Sequence, residues 1–402
     1  MSQLPIMVIE HPFGARSREE IGAIAERLVD ELVAGAVAHG DGGARTASNV
    51  DAQAARLELP ADAWAFHREC LRRRWSDGLP MIPPTPERVA RMLAASGQRA
   101  DTVLASLAPA FGVTTLERVA INAVMAGCAP EHLPVLIAAI AAVADPAFNL
   151  QAVQTTTNPV TTWLIVNGPI VEELGINGAG NCLGQGNAAN ATIGRALRLV
   201  LQNIGGALPG DMDRASHGQP GKFLFCCAEN EAQSPWPALH VERGLAAGDS
   251  AVTVVGASGT LNLNTHSKDA DELLACIACS MAFPASNDYH YCGEPWLILS
   301  PEHAAVLAGA GYDKQAVKQR LWAQSTMPAG HFARRDYERT ANARRAEFPN
   351  FSPDTEVPLA RDASAIGIVV AGGPGTHSVY VPTFGETRAV TRRIDPPDRR
   401  GD

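Results

Sequence analysis

The chain has 402 residues, of which 46% are hydrophobic, 19% charged and 5% aromatic, and it carries a formal net charge of −9. That length allows two domains or one large α/β body with its own core, and the composition is that of a globular protein. The acidic balance and the lack of dense Lys/Arg runs argue against nucleic acid as a partner. No run of 18 uncharged apolar residues and no leader-like segment is present, so no membrane span and a cytoplasmic protein are expected, with its eight cysteines reduced.

In chain order, "PIMVI" at 5–9 predicts a short strand, and an amphipathic helix follows to about His39. Residues 40–60, rich in Gly, Ala, Ser, Asp and Asn, read as a linker, and the main body follows at 61–402. Two lobes dividing near 250 are one option for that body. "DAWAFHRECLRRRW" predicts a helix, then "SDGLPMIPPTPERVARMLAAS" a turn, a short strand and a second helix that starts at Thr85-Pro86. "TLERVAINAVMAG" and "PEHLPVLIAAIAAVA" predict two more helices, the second apolar nearly all round.

Strands are predicted at "LQAVQTTT", "TTWLIVNG", "KFLFCCA", "SAVTVVG", "PWLILS" and "AIGIVVAGG". Helices are predicted at "NAANATIGRALRLVLQNIGG", 269–282, 301–309 and 313–323. Val/Ile/Leu-rich strands alternating with helices predict an α/β fold, a mostly buried mixed or parallel sheet with helices on both faces, plus the N-terminal β-α appendage.

Five segments could carry chemistry. In "NGAGNCLGQGNAANATIGRALRLV", Gly184 and Gly186 precede a helix start at which Asn187 and Asn190 offer amides and Arg195 a charge one or two turns inward. Exposed N–H groups at a helix start suit an anion, although neither a P-loop nor a dinucleotide fingerprint is present. In "HGQPGKFLFCCAENEAQSPW", His217 and a turn presenting Lys222 lead into a strand. Period-two alternation puts Cys227, Glu229 and Glu231 on one face, an acid/base and thiol cluster. Asn167, at the end of "TTWLIVNG", is a further binding candidate.

Cys128 sits between two helices with His132 four residues on, the minimum set for an activated thiol nucleophile. "VVAGGPGTHSVYVP" places His377 at the tip of a glycine-rich turn. Cys276-Ile-Ala-Cys279 lies within an apolar helical run and reads as two small buried residues. The Pro-Glu-His of 130–132 recurs at 301–303, where Ser300 caps and Pro301 opens a helix. The echo reads as two helix starts, and the functional wager narrows to Cys128 and His132.

Two sets of segments carry a family resemblance. "VIEHPFGARSREEIGAIAERLVDELV" resembles the final β-α unit of the UGSC-like domain, a bacterial group named for a Gly-Ser-Cys motif. "DGLPMIPPTPERV", "NAVMAGCAPEHLPVLIAAI", "NATIGRALRLVLQNIGG", "GQPGKFLFCCAENEAQSPW" and "AGGPGTHSVYVP" resemble the larger protein that accompanies it. The Gly-Ser-Cys tripeptide itself is absent. The resemblance implies an enzyme of small-molecule metabolism with cysteine chemistry, and the residues above suggest a small anionic substrate.

The reaction expected is redox or carbon–heteroatom bond cleavage. One alternative is a metal-dependent lyase or hydrolase with ligands from distant loops, the metal and its ligands unknown. Another is a non-catalytic partner of a chain that carries the Gly-Ser-Cys motif. A homo-oligomer is expected, and no nucleotide cofactor motif is present.

Overall fold

The computed structural model describes residues 16–38 and 56–395. The strand expected at 5–9 and most of the expected linker lie outside them. The chain divides into Met1–Ala52 and Gln53–Asp402. In the first unit, helix Arg18–Ala38 opens with a capping box: Ser17 N–H donates to Glu20 Oε2 at 2.6 Å, and Glu20 N–H to Ser17 Oγ at 3.2 Å.

The second unit contains twelve described strands: β1 (Val103–Leu107), β2 (Gly112–Thr115), β3 (Thr161–Asn167), β4 (Cys226–Ala228), β5 (Ala251–Ala257), β6 (Leu261–Asn264), β7 (Trp296–Leu299), β8 (Thr326–Pro328), β9 (Glu356–Pro358), β10 (Gly367–Val370), β11 (His377–Val381) and β12 (Val390–Arg393). β1 with β2 and β8 with β9 form two-stranded ribbons. The rest form two four-stranded mixed sheets. In the order β12-β5-β3-β4 only β3 and β4 are parallel; in the order β10-β7-β11-β6 only β10 and β7 are parallel.

Side-chain parity shows how the layers stack. Leu164 and Val166 of β3, Cys226 of β4 and Val252 and Val254 of β5 join the apolar faces of helices Leu116–Ala126, Leu133–Val143 and Ala188–Asn203 in one core. Leu297 and Leu299 of β7 and Ile368 and Val370 of β10 join helices Ala270–Met281, Pro301–Gly309 and Lys314–Gln324 in another. The intervening residues of both sheets, Trp163, Ile165, Cys227, Val255, Trp296, Ile298, Val369 and Val381, form a third core with each other. The two sheets therefore pack face to face, in a helix–sheet–sheet–helix order. Trp163 meets Trp296 across the interface edge to face, with ring centroids 5.8 Å apart.

The α/β expectation holds, with mixed sheets buried on both faces and helices on the two outer faces. Several local expectations do not. Leu150–Thr155, expected as a strand, is a helix, because Asn149 caps it by accepting from Ala152 N–H. The strand expected before Thr85 is irregular chain that joins no sheet, though Ile82 N–H donates to Met125 O at 3.2 Å. "KFLFCCA" is strand only at Cys226–Ala228, since Pro220–Lys222 forms a 3₁₀ turn.

The Pro-Glu-His copies begin differently. Ser300 Oγ accepts from His303 N–H and caps an α-helix, whereas Pro130–His132 is an uncapped 3₁₀ turn leading into helix Leu133–Val143.

Candidate functional site

β3 and β4 run parallel and end together, and their inner-face parity places Asn167 and Glu229 side by side at those ends. Ligand crevices of open α/β sheets lie at such strand ends. Asn167 Nδ2 donates to Glu229 Oε2 at 2.6 Å and to Glu231 Oε1 at 2.9 Å. Glu231 Oε1 also accepts from Gly168 N–H, and Glu229 Oε2 from Leu239 N–H. Lys314 approaches from its helix: its Nζ donates to Pro237 O at 2.9 Å and lies 3.5 Å from Glu229 Oε1.

Burial works against ionisation of the neighbouring Glu242, but Lys318 and Lys314 outweigh it and hold that carboxyl below its usual range. His240, 1% exposed, places Nδ1 3.8 Å from Glu231 Oε1. Four polar atoms here are buried without a hydrogen-bond partner: Asn167 Oδ1, Glu229 Oε1 and both ring nitrogens of His240. Buried polar atoms are rarely left so, and here they share one corner of the molecule.

Beside this corner lies a pair of thiols. The loop after Ile176 is held by Asn190, whose Nδ2 donates to Asn177 O and Cys182 O while its Oδ1 accepts from Asn177 N–H. Gly178 lets the loop press on the end of β4, since a Cβ there would lie 2.7 Å from Ala228 O. Gly372, after β10, donates its N–H to Gly178 O at 2.8 Å. Cys182 is thereby set against Cys227.

Donation from the Cys227 thiol outweighs burial and, with the backbone N–H groups of Cys182, Gly372 and Leu183, brings the Cys182 thiol below its usual range. The converse holds for Cys227, raised well above it by its bond to Cys182 and by burial. The Trp163 indole also faces the Cys227 sulfur. Of the two, Cys182 is the thiol poised to ionise.

The expected site residues thus fall into separate places. Asn167, Glu229 and Glu231 are joined by hydrogen bonds, with Cys227 two residues before Glu229 and Glu231 reaching back from a 3₁₀ turn rather than from the strand. Cys128 and His132 form no nucleophilic pair: Cys128 Sγ donates to Thr192 O at 3.2 Å, and His132 Nδ1 faces Thr192 Oγ1 at 3.3 Å. Burial pushes the Cys128 thiol up to about 12, against which Thr192 and Arg195 do little, and burial lowers the pKa of His132.

Arg195 is taken up by Asp77, with bonds of 2.6 and 2.9 Å, and by the carbonyls of Leu79 and Pro80, so it serves no anion site. Asn190 is the loop clamp, and Asn187 bonds Asn181 O without capping the helix that follows it. Gly184 packs on the Asn181 side chain and Gly186 takes φ +99°, so both shape the loop.

His217 and Lys222 line one cavity at the opposite end of β4. His377 opens β11 rather than sitting at a turn tip, exposed and against Asn262 Oδ1. Cys276 and Cys279 are exposed, because the buried stripe of their helix is Leu273, Leu274, Ile277, Ala278 and Met281.

Cys182, His240 and Lys314 are further residues of this region that no motif in the sequence marks. Cys182 lay within a loop weighed for its glycines and amides. His240 and Lys314 are joined to Glu229 and Glu231 only by the fold. Among the described residues, no group of three or more His, Cys, Asp or Glu side chains is arranged to hold a metal ion, and no helix is long and apolar enough to cross a membrane. No protein-family model matches the chain, and no match is found among curated proteins or solved structures.

Proposed function

We propose that the chain is a thiol-dependent enzyme that reduces a small disulfide-bonded substrate with the Cys182–Cys227 pair. The juxtaposition of Cys227 on β4 with Cys182 on the loop packed against that strand, with backbone N–H groups directed at Cys182, carries this reading. A second thiol beside the first favours redox chemistry over carbon–heteroatom cleavage, which needs only one. Cys182 retains 6% of its surface and Cys227 none, which orders the roles: Cys182 attacks and Cys227 resolves.

In the first step the Cys182 thiolate attacks one sulfur of the substrate, and the other leaves as a thiolate that takes up a proton. The Cys227 thiol then passes its proton toward Glu229, on the same strand face, and its sulfur attacks Cys182 Sγ. The second substrate sulfur leaves as a thiol. Two electrons pass from protein to substrate, the substrate disulfide is cleaved and a Cys182–Cys227 disulfide forms; a small dithiol reductant restores the protein. Asn167 Oδ1 is an acceptor without a donor and Glu229 Oε1 meets only the Lys314 ammonium at 3.5 Å, so N–H or O–H groups on the substrate fit this corner.

Reduced protein would be mixed with cystine, glutathione disulfide or hydroxyethyl disulfide, and released thiol counted. Two equivalents per chain are expected, none from Cys182→Ser, and one from Cys227→Ser with a stable mixed disulfide seen by mass. Undiminished release from both variants refutes the proposal.

A further inference from the structure

A cavity of about 270 Å³ opens at the start of β4, the end opposite Glu229. Its wall includes Arg198, Asp213, His217, Lys222 and Asp77. Lys222 Nζ donates to both oxygens of Asp213, at 2.8 and 2.7 Å, and Arg198 Nη2 reaches Asp213 Oδ2 at 3.1 Å. Asp213 therefore answers two cations with one charge. Asp77, the other carboxylate of the wall, pairs with Arg195 and also acts on Arg198, so the three cations Arg195, Arg198 and Lys222 face two carboxylates.

Arg198 is 6% exposed, its Nη1 donates to Gln154 Oε1 at 3.0 Å and its Nη2 to Ala207 O at 3.2 Å as well as to Asp213, so the guanidinium is fixed in the wall. The Lys222 side chain keeps 16% of its surface. Burial lowers the pKa of both bases and outweighs the opposing effect of Asp213 on each. Held without a counter-charge, that excess is costly, and an anion in the cavity would relieve it.

We infer that this cavity binds a small oxyanion, with Lys222 and Arg198 as its charged contacts, Asp213 holding both in place and His217 at the mouth. The volume sets the size. It is several times the roughly 30 Å³ share of one water and just under the roughly 300 Å³ where drug-sized pockets begin, which suits a phosphate or a carboxylate of a few carbons. Neither Cys182 nor Cys227 lines this cavity, so the site is distinct from the thiol centre and stands whether or not that centre reduces disulfides.

The test is calorimetry and thermal unfolding of the full chain with inorganic phosphate, sulfate or a short dicarboxylate, against chloride at equal ionic strength. Saturable binding with a rise in Tm is expected for at least one of the three; which one separates a free inorganic anion from a carboxylate metabolite. Lys222→Gln leaves Arg198 and Asp213 as a matched pair, so it should fold and bind at least ten-fold more weakly, while Lys222→Arg should retain binding. Cys182→Ser should bind as the parent does. Absence of saturable binding by all three anions, or equal affinity in Lys222→Gln and the parent, overturns the inference.

Discussion

At pH 8 Cys128 should react slowly with a small disulfide reagent such as dithiodipyridine. With its pKa at about 12 against an ordinary 9.0, its thiolate fraction is about 10⁻⁴, where an ordinary thiol has about 10⁻¹. The thousand-fold scarcity is partly offset, because nucleophilicity rises with pKa at a Brønsted slope of about 0.4–0.5, worth roughly 15- to 30-fold here. The net expectation is a rate about 30- to 60-fold below that of an ordinary thiol, before any cost of reaching a half-buried side chain. Timed quenching and peptide mass spectrometry would follow Cys128 against exposed Cys276 in the same molecule. Labelling of Cys128 within three-fold of Cys276 would refute the reasoning and restore Cys128 as a nucleophile.

Two further predictions concern the frame around the site. Trp163→Leu and Trp296→Leu should each destabilise the protein, and the double variant should show a coupling of about 0.5–1.5 kcal/mol in denaturant unfolding, the range for edge-to-face aromatic pairs; coupling indistinguishable from zero would contradict the facing sheets. Burial raises the Asp288 carboxyl from 3.8 to about 6 despite bonds from Tyr380, Thr383 and Ser286. A folded pKa above the unfolded value means stability fully present below about pH 4 and lost as pH rises through 6. Roughly 3 kcal/mol should vary with pH from this group, and Asp288→Asn should flatten unfolding free energies between pH 4 and 7; an unchanged slope would contradict this.

What the sequence disclosed follows from the range of the interactions involved. Helix starts such as Thr85-Pro86 and Ser300-Pro301 are local, and the structure has them where the capping residues stand. The alternation that put Cys227 beside Glu229 is equally local, a matter of strand parity. The division into two sheets was not legible, because β3 pairs with β5 and β7 with β10 across long intervening segments and nothing in either strand names its partner. The thiol pair was missed for the same reason: Cys182 meets Cys227 only once Asn190 folds its loop onto β4. Arg195 and Cys128 misled because a charge or thiol near a helix start looks available until Asp77, or burial under Thr192, takes it up.

The most direct test of the thiol centre is the state of Cys182 and Cys227 after mild oxidation. Protein treated with diamide, alkylated and digested without reductant should yield one peptide pair joined between Cys182 and Cys227, reversible by dithiothreitol and absent from Cys182→Ser. Recovery of both cysteines as alkylated free thiols, under conditions that oxidise Cys276 and Cys279, would contradict the account.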